Sequence, residues 1–584
     1  MTAGSSSTGS SGTGSADVGS ADAGAATPAS SGSARSIGIG VAKAAGLIAV
    51  VTLLARLVGF GRTLVFAKGV GATEVGDVYQ TINVIPNVVY EVAAGGVLAA
   101  VAVPLIAHQL GLGRTAEADR AASALLTWAV VVLTPLSILL ALLAPWLSRA
   151  LLGVKAGADE VALGSDMLVL FAPQVLLYGV GIVLAGVLQA RRRFLAAALA
   201  PLLSSLVVVC AYVAYGVMVD RATSPSTIST GAVWTLAGGT TLGVVVLSLP
   251  LLAPVLRAGI RLRPTLRFPD GLARRAASLA GAGVVALVAQ QAAVLTVLWI
   301  THHRTDVVGT VNVYTYVQAV YLLPYAVLAV PIATSAFPTL AHTAAEESAA
   351  SRPDAFVGTA ARDTLARSVQ GIVLLSAGAA AVLMTVSRPV GAFFAHLDRG
   401  AAAGGGPALA AMPGALSAYA PGIVGFGVAA LLTRALYVRG RPALAAAAVA
   451  AGWAVAALVP LALLPDGSGA GATLGVLGVG SSLGMTLSAF ALVMLVRHAW
   501  GSEATAGSGR TLGAAVVSVA FALGVGDALS RTLSTSSLWS ALGSGVAVAF
   551  VTLAVYLLVM SFADRSTIKA LRERGRSRRR GSAA

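Results

Sequence analysis

The stretch from Leu54 to His108 reads LARLVGFGRTLVFAKGVGATEVGDVYQTINVIPNVVYEVAAGGVLAAVAVPLIAH. Arg56 and Arg62 sit inside its first apolar run, and Pro86 and Glu91 inside its second. A lone arginine near the middle of a membrane helix costs roughly 2.5–3.5 kcal/mol on insertion scales, so it persists where it faces a polar cavity or a partner. The stretch therefore reads as the lining of a solvated cavity within a membrane.

The rest of the chain supplies that membrane setting. With 584 residues, 57% hydrophobic, 11% charged and a mean hydropathy of +0.86, it has too little polar surface to coat a soluble globule. The net charge of +16 does not point to nucleic acid, because the basic residues are scattered through short loops and one tail. A single cysteine, Cys210, offers neither a disulfide framework nor a thiolate metal site.

Residues 1–34 are rich in Ser, Gly, Ala and Thr, a composition that cannot repay the entropy of ordering, and they read as a disordered tail without the features of a secretory signal. Fourteen apolar runs follow, each long enough to cross about 30 Å of hydrocarbon. Their spans are 43–67, 77–107, 121–147, 163–190, 195–219, 231–256, 276–301, 309–341, 364–386, 411–436, 442–464, 471–496, 511–530 and 537–562. The expected fold is thus an all-α polytopic membrane protein.

Basic residues set the expected orientation. With a cytoplasmic N-terminus, the tails and even-to-odd loops hold 29 of the 39 Lys and Arg, the opposite loops 8, and Arg56 and Arg62 are the other 2. Both termini are expected to be cytoplasmic, and residues 257–275 form a cytoplasmic linker between two halves, 43–256 and 276–496. An internal repeat supports the division: Ala102-Val-Pro-Leu-Ile-Ala-His108 matches Ala336-Phe-Pro-Thr-Leu-Ala-His342. Ala172-Pro173 precedes Arg191–Arg193 at the spacing by which Ala420-Pro421 precedes Arg439–Arg441. Both matches are six helices apart, and an even offset preserves direction, so two six-helix lobes related by a pseudo-two-fold along the membrane normal are expected, with helices 511–562 added.

Several residues in these runs can carry chemistry. Arg56 and Arg62 on one helix lie about 9 Å apart along the axis and border one cavity at different depths. A guanidinium stays charged and donates in pairs, which suits phosphate or pyrophosphate; the alternative is a structural pairing, for instance with Glu91. Gly59 and Gly61 between them permit close packing or a bend. Asp77 either shares a face with Glu91 or caps the start of its own helix. Pro86 and Asn87, then Pro324, Pro331 and Pro338, break backbone bonds at membrane depth and mark candidate hinges. Gln318 reads either as an inter-helix bond or as a sugar contact. His302-His303-x-x-Asp306 is a poor metal site, since adjacent histidines point apart. The arginine-rich segment 563–584 reads as an anchor to anionic lipid. No nucleotide-binding glycine loop is present, so no cofactor is expected.

Arg56-Leu-Val-Gly59-Phe-Gly-Arg62, then Gly71, Asp77, Ile85-Pro86-Asn87 and Pro104, resembles the N-terminal signature of the MurJ/MviN lipid II flippases, within the multidrug/oligosaccharidyl-lipid/polysaccharide exporter superfamily. Tyr316–Pro324, Pro338-Thr-Leu and Arg434–Pro442 are similar to further family stretches. The resemblance implies a V-shaped pair of lobes around a cationic cavity, a lipid-tail groove formed by residues 511–562, and no enzymatic activity. Alternating access, driven by a coupling ion or the membrane potential, would carry the lipid-linked peptidoglycan precursor across the bacterial plasma membrane for cell-wall synthesis. Cell-wall synthesis proteins are implied partners.

Arg56, Arg62 and Asp77 fall on family positions. Thr63 stands where the family has an acid, and Tyr90 (followed by Glu91) and Ala319 stand where it has arginines. Asn87, Tyr90, Glu91 and Gln318 complete the candidate substrate contacts. Two other readings stay open: export of another polyprenyl-linked oligosaccharide, and a non-transporting scaffold for cell-wall enzymes.

Overall fold

The computed structural model describes residues 50–51, 53–92, 99–220, 223–267, 272–349 and 359–564; the expected N-terminal tail and the arginine-rich end after Asp564 lie outside the described residues. Every long element is a helix. We number them α1 (53–69), α2 (Glu74–Tyr90, continued by Ala99–Gly111), α3 (Thr115–Leu142), α4 (Ala158–Ala190), α5 (Phe194–Met218), α6 (Thr230–Arg257) and α7 (Val284–His303). The second half holds α8 (Thr310–His342), α9 (Ala360–Thr385), α10 (Met412–Val438), α11 (Pro442–Leu463), α12 (Ala470–Trp500), α13 (Ser502–Thr532) and α14 (Leu538–Ala563). Twelve of these, α3 to α14, are long and apolar enough to cross a membrane among the described residues. α1 and α2 coincide with the remaining two expected crossings.

The two halves repeat one another in the same direction. A short helix follows α3 at Ala144–Leu152, and another follows α9 at Ser387–Leu397. α4 breaks before Pro173 and α10 before Pro421, where proline has no N–H to continue the helix bonds, while Ala172 and Ala420 ahead of them keep helical dihedral angles. Widened turns, in which the backbone bond skips one residue further, begin at Glu91 in α2 and at Tyr325 in α8. The separation that relates Ala102 to Ala336 also relates Glu91 to Tyr325, so the repeat seen in the letters is also a repeat of backbone irregularities.

Among the described residues the lobes share a buried core at one end, while the helix Leu272–His303 also meets the Ala99–Gly111 part of α2. One continuous buried core takes in the first lobe together with Val313–Tyr321 of α8, Met412–Ile423 of α10 and Ala470–Leu477 of α12. The other halves of those helices, Ala333–Leu340, Val428–Leu436 and Ala489–Trp500, form a separate core. We call the first the joined end and the second the far end. α13 and α14 pack on α9, where the Tyr556 hydroxyl donates to Leu374 O (2.7 Å) and Thr552 meets Thr385 (2.9 Å).

Beyond α6 the linker lies along α3. Arg261, Arg263 and Thr265 donate their backbone N–H groups to Asp119 Oδ2 (3.3 Å), Ser123 Oγ (3.0 Å) and Thr127 Oγ1 (3.1 Å), acceptors spaced one helical turn apart. Trp128 Nε1 donates to Leu266 O (3.0 Å), and Arg191 pairs with Asp119. An extended strand of backbone is thus satisfied by side chains of a helix rather than by another strand.

Candidate functional site

At the joined end, the turn between α1 and α2 is held by the second lobe. Asp398, buried in the loop after the short helix Ser387–Leu397, accepts from Ala72 N (2.8 Å), Gly400 N (2.7 Å) and the Tyr316 hydroxyl (2.7 Å). Burial holds its carboxyl above the usual aspartate range, against the opposing pull of these three donors. Arg399 donates to Gly69 O (3.1 Å), Gly216 O (2.7 Å) and Val219 O, the carbonyls that α1 and α5 leave open at their ends. The fit is backbone on backbone: a Cβ at Gly400 or Gly405 would collide with Ala72 O.

Asp77 returns the grip. Its carboxylate accepts from Gly309 N (2.5 Å), Asn312 N (3.2 Å) and Asn312 Nδ2 (2.7 Å), so it caps the start of α8 in the other lobe. Its own helix is capped by Thr73, whose hydroxyl accepts from Gly76 N (3.1 Å). The expected cap therefore exists, but on a helix far away in sequence. His302 Nε2 meets Thr81 Oγ1 (2.7 Å) and His303 stacks on Trp299, so both histidines are used in packing.

Arg56 and Arg62 take up separate stations along α1, both with exposed side chains and neither with a carboxylate partner among the described residues. Arg56 is close enough for its charge, with that of Arg434 on α10, to act on Tyr325. Arg62 acts on Tyr79, Tyr178 and Tyr212 of the first lobe. Glu91 pairs with neither arginine, and the structural ion pair weighed as an alternative does not form. Gly59 and Gly61 face open space, with no atom within 4 Å of an added Cβ, so close packing does not require glycine there.

Arg62 borders a pocket of about 200 Å³ with Gln80, Asn83, Asn87, Tyr178 and, from α8, Thr315. Asn87 donates to Asn83 O (2.8 Å) and accepts from the Tyr178 hydroxyl (3.1 Å). Behind it, the Tyr79 hydroxyl bonds Tyr212 and Thr240, each at 2.8 Å. Tyr90 lies against Tyr178, ring centroids 4.4 Å apart, and lines a second pocket of about 230 Å³. Gln318 does not border the Arg62 pocket; it lies near the hydroxyls of Tyr314 and Tyr419 within the second lobe. Pro86 is buried in α2 one turn before its widened turn, Pro324 stands immediately before that of α8, and Pro331 just after it.

An apolar groove of about 940 Å³ runs between α9, α10, α12 and α13, with Arg497 and Arg510 also on its walls. The groove anticipated for residues 511–562 is thus bounded by α13 and the second lobe, and α14 contributes no wall.

Residues 66–563 match the family model described as lipid II flippase MurJ. The chain belongs to the MurJ family. It is 28% identical to a lipid II flippase MurJ of Burkholderia cenocepacia over 166 residues, which are 28% of this chain and 32% of that protein. It is 26% identical to a probable lipid II flippase MurJ of Rhizobium meliloti over 346 residues, 58% of this chain and 60% of that one. The matches thus span about a third and three fifths of these relatives. In fold, a MurJ flippase in an inward closed conformation superposes with a TM-score of 0.69 at 15% identity, covering 89% of this chain and 99% of that structure. An inward-facing MATE transporter of the MOP superfamily follows at 0.60 and 15% identity, covering 78% of this chain and 99% of that one.

Arg434, Asn83, Asp398 and Arg399 were not among the residues singled out from sequence. Arg434 carries the same signal as Arg56, an arginine within an apolar run, but lies near the run's end and counts as loop charge. Asn83 sits one helical turn before Asn87 on the same face, a spacing that would have found it.

Proposed function

We propose that this chain moves a polyprenyl-pyrophosphate-linked peptidoglycan precursor from the inner to the outer leaflet of the bacterial plasma membrane by alternating access. The observation that carries this is the pair Arg56 and Arg62, one facing each lobe from a single helix and neither neutralised by an acid. A pyrophosphate has two charged centres that two such guanidiniums match, and a transporter of cationic drugs would not keep them unpaired. The count of basic residues puts the far end in the cytoplasm and the joined end outside. The conformation described is then closed to the outside, and rocking the lobes about the Asp77 and Asp398 contacts would expose the cavity there. The groove beside α13 would take the polyprenyl tail. Tyr90 and Ala319, standing at family arginine positions, favour as a second reading a related polyprenyl-linked glycan.

The test is lipid II exposure on cells depleted of their own flippase, read with an externally added lipid II-cleaving enzyme. Cleavage restored by this chain and lost with Arg62→Ala, at matched membrane abundance, supports the proposal. No restoration by the well-expressed chain turns the reading to another glycan, and an Arg62→Ala variant as active as the parent removes the arginine mechanism.

A further inference from the structure

The linker beyond α6 sends two kinds of side chain in opposite directions. Ile260 is buried and Leu262 half-buried against the first-lobe core, whereas Arg261, Arg263 and Arg267 are exposed. Alternate side chains of an extended backbone point to opposite faces, so these arginines form one outward ribbon. None of them meets a carboxylate among the described residues. Exposed Arg192 and Arg193 stand beside the start of the ribbon, because Asp119 both pairs with Arg191 and accepts from Arg261 N.

The depth of the ribbon is fixed by α3. Beyond Trp128 this helix exposes Val130, Val131 and Val132, a surface for lipid tails. Trp128 itself is 41% exposed and donates to the carbonyl of Leu266, which is 52% exposed. A tryptophan at such a boundary marks the edge of the hydrocarbon. Arg263 is fastened at Ser123, five residues before Trp128 on α3 and so about 7 Å nearer the cytoplasm. Headgroups fill about 5–7 Å on each side of the hydrocarbon, which puts Arg263 at the level of lipid phosphates. Arg267 lies at the hydrocarbon edge beside Leu266, and Arg261 is fastened one turn of α3 further toward the cytoplasm. A guanidinium without an acid beside it suits a phosphodiester, and each basic group near an anionic leaflet is worth about fivefold in affinity.

We propose that anionic phospholipids of the inner leaflet dock on this arginine ribbon and hold the linker against α3. The exposed Leu266 beside Arg267 favours a lipid over an acidic protein segment, since it offers acyl chains an apolar contact at the same level. One segment carries both the N–H donors to α3 and the guanidiniums, so lipid binding and linker attachment reinforce each other. The surface is separate from Arg56 and Arg62 and independent of what the carrier moves.

The experiment places the full chain in nanodiscs of phosphatidylcholine, with and without phosphatidylglycerol, and follows hydrogen exchange at the amides of residues 260–267. Phosphatidylglycerol is expected to slow exchange about tenfold in the parent, and less than about twofold in Arg261→Gln/Arg263→Gln/Arg267→Gln. Removing as many charges from the tail, with Arg578→Gln/Arg579→Gln/Arg580→Gln, should leave the tenfold effect in place. No slowing in the parent, or slowing that survives in the linker variant, overturns the docking site. Equal loss in the tail variant also overturns it, since surface charge in general then accounts for the effect. Thermal unfolding checks both variants. If the linker variant does not fold, salt decides on the parent: slowing undiminished at about 1 M, where charges are screened beyond about 3 Å, overturns the site as well.

Discussion

The loops after the two short helices occupy equivalent places in the two lobes, and each reaches across to the other lobe, but they are built differently. In the first lobe Lys155 meets Asp306 at 2.6 Å with both side chains more than half exposed. In the second, Asp398 and Arg399 turn inward onto five backbone groups and a tyrosine hydroxyl. Exposed ion pairs are worth about 0–1 kcal/mol, whereas stranding a buried donor costs about 1–3 kcal/mol each. The repeat has kept the architecture on both sides and concentrated the closure on one.

Removing Asp398 should break this asymmetry most. Asp398→Ala strands Ala72 N at the contact between the lobes, a loss of about 2 kcal/mol and roughly thirtyfold in the ratio of joined to parted lobes. Spin labels at Ser226 and Ala472, with Cys210 replaced by serine, should report a longer distance at this end; an unchanged distance would show that apolar packing alone holds the lobes.

Asp77→Asn keeps an acceptor but removes the charge from the start of α8, and should shift the same ratio by about 1 kcal/mol, a few-fold. The pH dependence has a defined sign. Asp398 binds its proton more tightly when buried than when opened to water, so this term favours the joined state below the exposed value of about 3.9 and is lost as pH rises through the raised value. Label distances should therefore lengthen with rising pH across that interval, and Asp398→Asn should weaken the trend. Lys155→Ala comes last, with a change of at most about 1 kcal/mol that disappears in high salt.

Much of this was legible in the letters, because length and hydropathy are local. The expected crossing 442–464 is the helix Pro442–Leu463, and 537–562 is Leu538–Ala563. What stayed hidden depends on partners distant in sequence. Asp77 looked like a cap for its own helix because the only helix start visible beside it was that of α2; Gly309 and Asn312, which it serves, lie more than two hundred residues on. Asp398 and Arg399 read as ordinary loop charges, and no periodicity announces a carbonyl at Gly69 or Gly216. Arg434 was hidden by position, since an arginine near the end of an apolar run can belong to the loop or the cavity.

The strapping of the linker to α3 has a mechanical consequence. With Arg261, Arg263 and Thr265 fastened, only the chain from Arg267 to Leu272 is left to connect the strap with the helix leading into α7. Five residues reach about 17 Å at most, whatever their path. That leash caps how far the α7 end can travel from α3, and lengthening it by a few residues is the way to find out whether the range of lobe motion is set by its joints or by its tether.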